Sequence, residues 1–474
     1  MTFVSLEFLY FLTAVLAASY LLPSGFRRIV LLLASLLFCF WWSPLCLYAI
    51  LVSVLVNFGL GKVIFRVGRN RAGIPVLVGI GFNVAALFFF RGYGFFAPEL
   101  GILLNNLGIH SWEVLPDILA PVGLSFYSMQ AMSWLVDARR KQVPADVSLE
   151  EFALYMVYFP KLMAGPIERS GLFIKQLRDL PGSVSPEKLE SSGGLILLGL
   201  FRKVVIADTL RAGIPGGIFT DPQRYTPPEL IFWILMLGPC IFNDFAGYTD
   251  MARGFSRLLG IELTVNFRSP NFNKGISDFW TRWHITLSMW LRDYVYFPIS
   301  RSLLMKNTWI TRRAYYFVPA VVTMAVSGMW HGFGMNFLIW GLLLGVIAVI
   351  EQAVSAAWPR TPFGQNAWVI TLRNYTFFGL MFSTLVFFLM DASTAFKYLG
   401  QLTDWSETTK PNIRLLCLVA PSLWIEWRQF STGNELFFLE GSIIKKTLLL
   451  SLAVIFVVLY ILGGMSSPFV YQVF

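Results

Sequence analysis

Long apolar runs broken by short charged clusters set the plan of this chain. Apolar stretches of roughly 17–25 residues are long enough to cross a bilayer as helices. The N-terminal part carries a series of such stretches: Phe3–Leu22, Ile29–Trp42, Leu45–Phe65, Ile74–Phe90 and Ile118–Val136. The clusters between them alternate in charge. Arg27–Arg28, Arg66–Arg71 and Arg139–Lys141 are basic, whereas the Trp42–Pro44 turn and Glu99–Asp117 hold no Lys or Arg. Because basic loops stay on the cytoplasmic side, this alternation predicts an outside N-terminus. The first residues carry no basic n-region, so the first run is expected to be a retained helix rather than a cleaved signal.

From Glu150 the pattern changes. Phe152–Ala164 is too short to span and contains Pro160, Lys161 and a Gly165–Pro166 turn, which predicts a re-entrant or interfacial element. Glu168–Ser191 mixes charge signs and prolines as a cytoplasmic loop would. Gly193–Asp208 is apolar with Arg202 and Lys203 in mid-run. Leu230–Gly254 carries Asn243, Asp244, Tyr248, Thr249, Asp250 and Arg253, too many polar groups to face lipid, so it should face a polar interior.

In Asn266–Pro298 the residues Trp280, Trp283, His284, Leu287 and Leu291 fall on one face at helical spacing. Asp278 and Arg282, four apart, could pair on another. A surface amphipathic helix and a re-entrant helix both fit, since Arg268 and Lys274 precede the Trp280–Leu291 face and Arg301, Lys306, Arg312 and Arg313 follow it. Further on, Tyr315–Met329 and Phe333–Ile350 flank His331, and Ile370–Met390 and Leu448–Leu462 are further span candidates. The segment between those last two, Asp391–Lys445, reads as an external connector with interfacial helices. The expectation is an all-α polytopic membrane protein with about eleven spanning helices and two re-entrant elements.

Composition agrees with that reading. Of 474 residues, 56% are hydrophobic and 14% charged, against roughly 45–50% and 25% in soluble proteins. Mean hydropathy is +0.64. The net charge of +10 matters through its placement in the loops rather than its sum. The four cysteines, Cys39, Cys46, Cys240 and Cys417, form no CxxC pair, so neither a disulfide framework nor a metal site is expected. Membrane lipid is the expected surrounding partner, and nucleic acid is not expected as one.

The chain has three histidines. His110 falls in the outer segment and reads as a solvated loop residue. His284 and His331 lie in aromatic-rich membrane elements, outside any HExxH frame and without carboxylates or cysteines at ligand spacing. Small residues Ser327, Gly328, Gly332 and Gly334 flank His331, which allows a backbone or a substrate close approach. An ionisable residue inside the membrane is a functional-site candidate, although a histidine bonded to a neighbouring helix is the plainer alternative. No phosphate-cradling glycine loop and no nucleophilic-serine elbow are present. A histidine general base acting on a hydroxyl remains.

Five stretches carry a resemblance: Pro121–Gln130 (PVGLSFYSMQ), Tyr158–Arg169 (YFPKLMAGPIER), Phe242–Gly254 (FNDFAGYTDMARG), Asn266–Pro298 and Ser327–Trp340. In this order the chain resembles the membrane-bound O-acyltransferase family, in particular its bacterial branch of alginate O-acetylation proteins and their relatives acting on cellulose and peptidoglycan. The resemblance implies one domain over 1–474: N-terminal helices 1–120, a catalytic core 121–345, and C-terminal helices 346–474 containing the connector 391–445. It implies a ring of tilted helices around a central tunnel, with donor entering from the cytoplasm and acceptor from the other side. It also implies His331 as the catalytic residue and His284 as lining the cytoplasmic half of the tunnel.

The expected activity is membrane O-acetyl transfer in the bacterial inner membrane. The acetyl group would come from a cytoplasmic donor, acetyl-CoA, with no tightly bound cofactor. It would go to an exported polysaccharide such as alginate, directly or through a periplasmic partner of acetyltransferase or esterase type. Trp330 and Asn336 are candidate oxyanion donors. Arg282, with His284, is a candidate for steering an anionic donor, while Trp283, Tyr248 and Asp250 are further tunnel candidates. Two other functions stay open: D-alanyl transfer from a carrier protein to teichoic acid, and a non-catalytic transporter or channel lined by Leu230–Gly254.

Overall fold

A computed structural model describes residues 1–68, 70–107, 120–273, 275–306, 308–357, 390, 392–407, 409 and 415–463. His110, Lys274 and all of the expected helix Ile370–Met390 but its last residue lie outside the described residues. Among the described residues every regular element is helical. Among the described residues six helices are long and apolar enough to cross a membrane: Ser24–Trp42, Pro44–Arg66, Gly73–Tyr93, Pro227–Leu258, Met335–Val354 and Ile443–Leu462, with a shorter apolar helix at Leu6–Leu21. The fold is that of an all-α polytopic membrane protein.

The chain forms two compact units. The first comprises Met1–Ser192, Phe255–Thr264 and Met329–Gly334; the second comprises Gly193–Gly254, Val265–Gly328 and Met335–Phe474.

In the first unit, α1 (Leu6–Leu21), α2 (Arg27–Trp42), α3 (Pro44–Arg66), α4 (Gly73–Asn106) and α5 (Leu124–Arg139) follow the apolar runs. Ser43 caps α3 ahead of Pro44 at its first position, where a proline's missing N–H is harmless. Asn83 Nδ2 donates to Asn57 Oδ1 at 2.8 Å, a buried polar tie between α3 and α4. The helix α4 extends through Asn106, so it takes in the front of the segment expected to be an outer loop.

Behind these helices lie α6 (Leu149–Val157), α7 (Phe159–Leu162) and α8 (Ser170–Arg178). Residues Phe152 and Leu154 to Phe159 are wholly buried, so the short run Phe152–Ala164 forms packed core. A capping box of Ser148 and Glu151 starts α6. The stretch read as a loop, Glu168–Ser191, holds α8 and the start of α9 (Pro186–Leu200).

In the second unit, α9 runs into a π-helical segment, Phe201–Asp208, which leads to α10 (Thr209–Gly213). The 32-residue α11 (Pro227–Leu258) follows. Most of α11 is buried, 83% of its most apolar window, against 6% for the C-terminal span. Its polar groups therefore face protein, as expected. Then come α12 (Ile276–Trp280), α13 (Ile285–Leu291), α14 (Phe297–Lys306), α15 (Trp309–Ala314), α16 (Val318–His331) and α17 (Met335–Ala357). The chain ends with α18 (Ala392–Gln401), α19 (Leu416–Thr432) and α20 (Ile443–Leu462). Within the connector, α19 buries Ser422 and Glu426, so that part of it is core of this unit.

The single helical face expected for Trp280–Leu291 is corrected. The helix stops at Trp280 and restarts at Ile285, with His284 between them in a left-handed conformation (φ 43°). Backbone bonds explain the break: Ile285 N–H donates to Asn266 O and Arg268 N–H to Arg282 O, both at 2.9 Å. The segment around Asn266 thus takes the hydrogen bonds that a continuous helix would have used.

Candidate active site

His331 is the last residue of α16, and Gly332–Gly334 separate it from α17. A helix that ends this way leaves its last carbonyls without intrahelical donors. Here an arginine from α4 supplies them. Arg91 Nη1 donates to Trp330 O and Nη2 to His331 O, each at 3.0 Å. The Nη1 group also donates to Ser125 Oγ at 2.8 Å, in the first turn of α5. A guanidinium at this end is favoured by the negative pole of the helix as well as by the bonds themselves.

Aromatic packing completes the arrangement in the first unit. The Trp330 ring meets Phe126 edge-on at 5.5 Å and His331 edge-on at 4.8 Å. Phe333 stands edge-on to Phe88 of α4 at 5.6 Å. His331 as a whole residue is half-buried. The turn before α5 has its own constraint: Gly123 has φ 75°, and a Cβ there would collide with the Leu162 carbonyl. The Pro121–Gln130 and Tyr158–Arg169 stretches are thus locked together. Lys161, wholly buried, joins them by bonding Gln130 Oε1.

His284 lies in the second unit and is only 1% exposed. Asn266 Oδ1 accepts from Thr286 N at 3.2 Å and Thr286 Oγ1 at 2.9 Å, and stands 3.2 Å from His284 Nδ1. A backbone N–H only donates, so the amide oxygen must face this way. In the neutral ring Nδ1 therefore carries the proton and Nε2 the lone pair. Phe245 meets the ring edge-on at 4.8 Å, and Phe267 packs on Trp283 at 4.9 Å. Trp283 also stacks on Phe279 at 5.9 Å. Arg282 pairs with Asp278 at 3.0 Å, as the four-residue spacing suggested.

Asp250, a tunnel candidate by sequence, sits in a separate buried ion network. Arg202 Nη1 lies 2.6 Å from Asp250 Oδ2, and Lys203 Nζ lies 2.8 Å from Asp208 Oδ1 and 2.6 Å from Asp244 Oδ1. Arg253 joins through Asp250 at 3.7 Å and through a bidentate pair with Glu435. The π-helical segment places Arg202 and Lys203 side by side against α11. Tyr248 is buried on α11, and Asn336 is half-buried in the first turn of α17. Within the first unit the structure brings Trp330 and His331 together. Within the second it groups Trp283 and His284, apart from the network around Asp250.

Sequence reasoning missed Arg91. The signal was present: it follows Phe88-Phe89-Phe90, so an arginine stands at the end of an apolar run, where an unpaired charge would be costly.

A family model of the membrane-bound O-acyltransferase family matches residues 109–394. The chain belongs to that family, and its class is membrane O-acyltransferase. Among similar proteins is "Probable alginate O-acetylase AlgI" of Pseudomonas putida, 31% identical over 374 residues, 78% of this chain and 75% of that protein. The protein of the same name in Pseudomonas aeruginosa is 33% identical over 78% of this chain and 70% of its own length. The "Peptidoglycan O-acetyltransferase" of Helicobacter pylori is 29% identical over 73% and 69%.

Proposed function

We propose that this protein transfers an acetyl group from cytoplasmic acetyl-CoA to a hydroxyl of an exported polysaccharide such as alginate, directly or through a periplasmic partner of acetyltransferase or esterase type. The protein would sit in the bacterial inner membrane with its N-terminus outside. One observation carries the choice of His331 as the reacting histidine. It is half-buried beside a run containing Gly332 and Gly334, whereas His284 is sealed among Phe245, Phe267 and Asn266. The similarity to alginate and peptidoglycan O-acetylating proteins over most of the chain supports acetyl as the acyl group and an exported glycan as acceptor.

The chemistry is balanced acyl transfer. The acceptor oxygen attacks the thioester carbonyl while His331 takes its proton. The tetrahedral intermediate then expels the thiolate, which takes the proton back, leaving an acetyl ester and a thiol. General-base help of this kind is worth ~10²–10⁴-fold, and alignment of the reactants adds to it. Trp330 is the donor we assign to the developing oxyanion, with the Asn336 amide as the alternative candidate. Arg282, near His284 in the chain and paired with Asp278, would steer the anionic donor. Tyr248, Trp283, His284 and Asp250 are assigned to holding the walls rather than to the reaction.

The test is thiol release from acetyl-CoA by purified protein, wild type beside His331→Ala. The reading expects release that depends on acceptor, falls as the imidazole protonates, and drops by about 10²–10⁴-fold to a measurable residue in the variant, while elution and melting stay unchanged. Equal release by both proteins would remove His331 from the chemistry. A wild type inert to acetyl-CoA but active with a carrier-bound D-alanyl thioester would replace the donor and acceptor named here.

A further inference from the structure

The Arg91 guanidinium does more than satisfy its own charge. Its two terminal nitrogens donate to two consecutive carbonyls, Trp330 and His331, at 3.0 Å each. The same Nη1 holds Ser125 Oγ at 2.8 Å. A planar fork that grips neighbouring carbonyls fixes the backbone orientation of the residue between them, and with it the direction of the His331 Cα–Cβ bond. A lysine, with a single nitrogen, cannot fix both carbonyls in this way. The side chain is steadied independently, because the Trp330 ring lies edge-on to His331 and to Phe126, the residue after Ser125.

We propose that Arg91 is a positioning residue for His331, acting through the terminal carbonyls of α16 rather than on the substrate. This rests on the reading of His331 as the base and adds the group that aims it. Three stretches far apart in sequence, around residues 91, 125 and 331, meet at one guanidinium. The helix ends at His331, where it has no later residue to complete its hydrogen bonding. A histidine on an unclamped helix end would sample several directions, and a misplacement of the order of 1 Å can cost roughly 10²-fold in rate.

The experiment compares Arg91→Ala, Arg91→Lys, His331→Ala and the double variant Arg91→Ala/His331→Ala in purified full-length protein, assayed for thiol release from acetyl-CoA. For Arg91→Ala the expectation is a fall in kcat of about 10²-fold, with KM for acetyl-CoA little changed and the same elution profile. Millimolar methylguanidinium should restore part of that kcat, and Arg91→Lys should lie in between. In the His331→Ala background the Arg91 change should cost nothing further, because a residue acting through the imidazole loses its effect with it.

Wild-type kcat in Arg91→Ala, with His331→Ala reduced to residual release, overturns this inference and leaves the base intact. An effect in Arg91→Ala that persists in the double variant, or that moves KM alone, overturns it in favour of donor binding. If Arg91→Ala does not fold, Arg91→Lys carries the test. A KM or stability change at unaltered kcat there overturns the inference. Full release by His331→Ala instead overturns the reading beneath it.

Discussion

Arg202 and Asp250 form an ion pair of 2.6 Å in which both side chains are about 95% shielded from solvent. Neither charge has water to fall back on, so each depends on protein partners: Arg202 on Asp250 and Gln429, Asp250 on Arg202 and the more distant Arg253. Removing one partner of such a pair typically costs ~3–5 kcal/mol, whereas replacing both by well-packed apolar groups can be nearly neutral. We therefore expect Arg202→Met and Asp250→Leu singly to lower the yield and melting temperature of detergent-purified protein sharply. The double variant should recover much of the loss. Two additive losses would mean that the pair is not a unit.

The helices α16 and α17 touch through glycine. A Cβ on Gly341 would collide with the Met324 carbonyl and one on Gly328 with the Phe337 carbonyl, so the two backbones meet without side chains between them. Gly341→Ala must push the helices apart, an overpacking cost of about 1–3 kcal/mol. Because α16 ends in His331, the same variant should lower thiol release from acetyl-CoA more than its melting shift accounts for. Gly81, with open space around its Cα, is the control: Gly81→Ala should leave both readings at wild-type values.

Outside the membrane-spanning segments, Arg178 holds the Glu151 carboxyl below the usual carboxylate range, through hydrogen bonds of 2.7 and 3.0 Å, against the opposing effect of burial. A carboxylate depressed on folding stabilises the protein above its unfolded pKa, about 4.3 for glutamate, and that contribution fades as pH falls through the lower folded value. Melting temperature followed from pH 7 to pH 3 should drop on the acid side in wild type. In Glu151→Gln that limb should be flatter, from a lower plateau at pH 7. Parallel curves would show that Glu151 adds nothing to acid sensitivity.

Asn266 gathers three contacts on one oxygen, from Thr286 N, Thr286 Oγ1 and His284 Nδ1. Asn266→Ala leaves these buried donors unsatisfied, which costs about 1–3 kcal/mol for a buried group. Asn266→Asp keeps the acceptor and should be milder. Hydrogen exchange over residues 280–290 should rise in Asn266→Ala and stay near wild type in Asn266→Asp. The reverse order would refute the bonding pattern.

The sequence made the apolar spans of the N-terminal unit legible, because lipid-facing helices need continuous hydrophobic runs and leave no other solution. It also located His331 between two such runs, and the Asp278–Arg282 pair by spacing alone. What it hid depends on contacts across long separations. Arg91 is held by residues 34 and about 240 positions away. The break at His284 arises from backbone bonds to Asn266, which helical periodicity does not register. Glu426 lay in a stretch read as connector, yet it accepts from Asn271 Nδ2 at 2.7 Å in the interior of its unit. Composition distinguishes buried from exposed helices poorly when the solvent is itself hydrocarbon.

The left-handed backbone at His284 has a consequence for how its chemistry is to be probed. Few residues other than glycine sit comfortably at φ 43°, asparagine, aspartate and histidine among them. Alanine, the customary replacement, would remove the ring and also strain the hinge between α12 and α13 by about 1–2 kcal/mol. Its phenotype would mix two causes. Glycine or asparagine removes the imidazole while leaving the bend at rest, and it is those exchanges that isolate what the ring contributes.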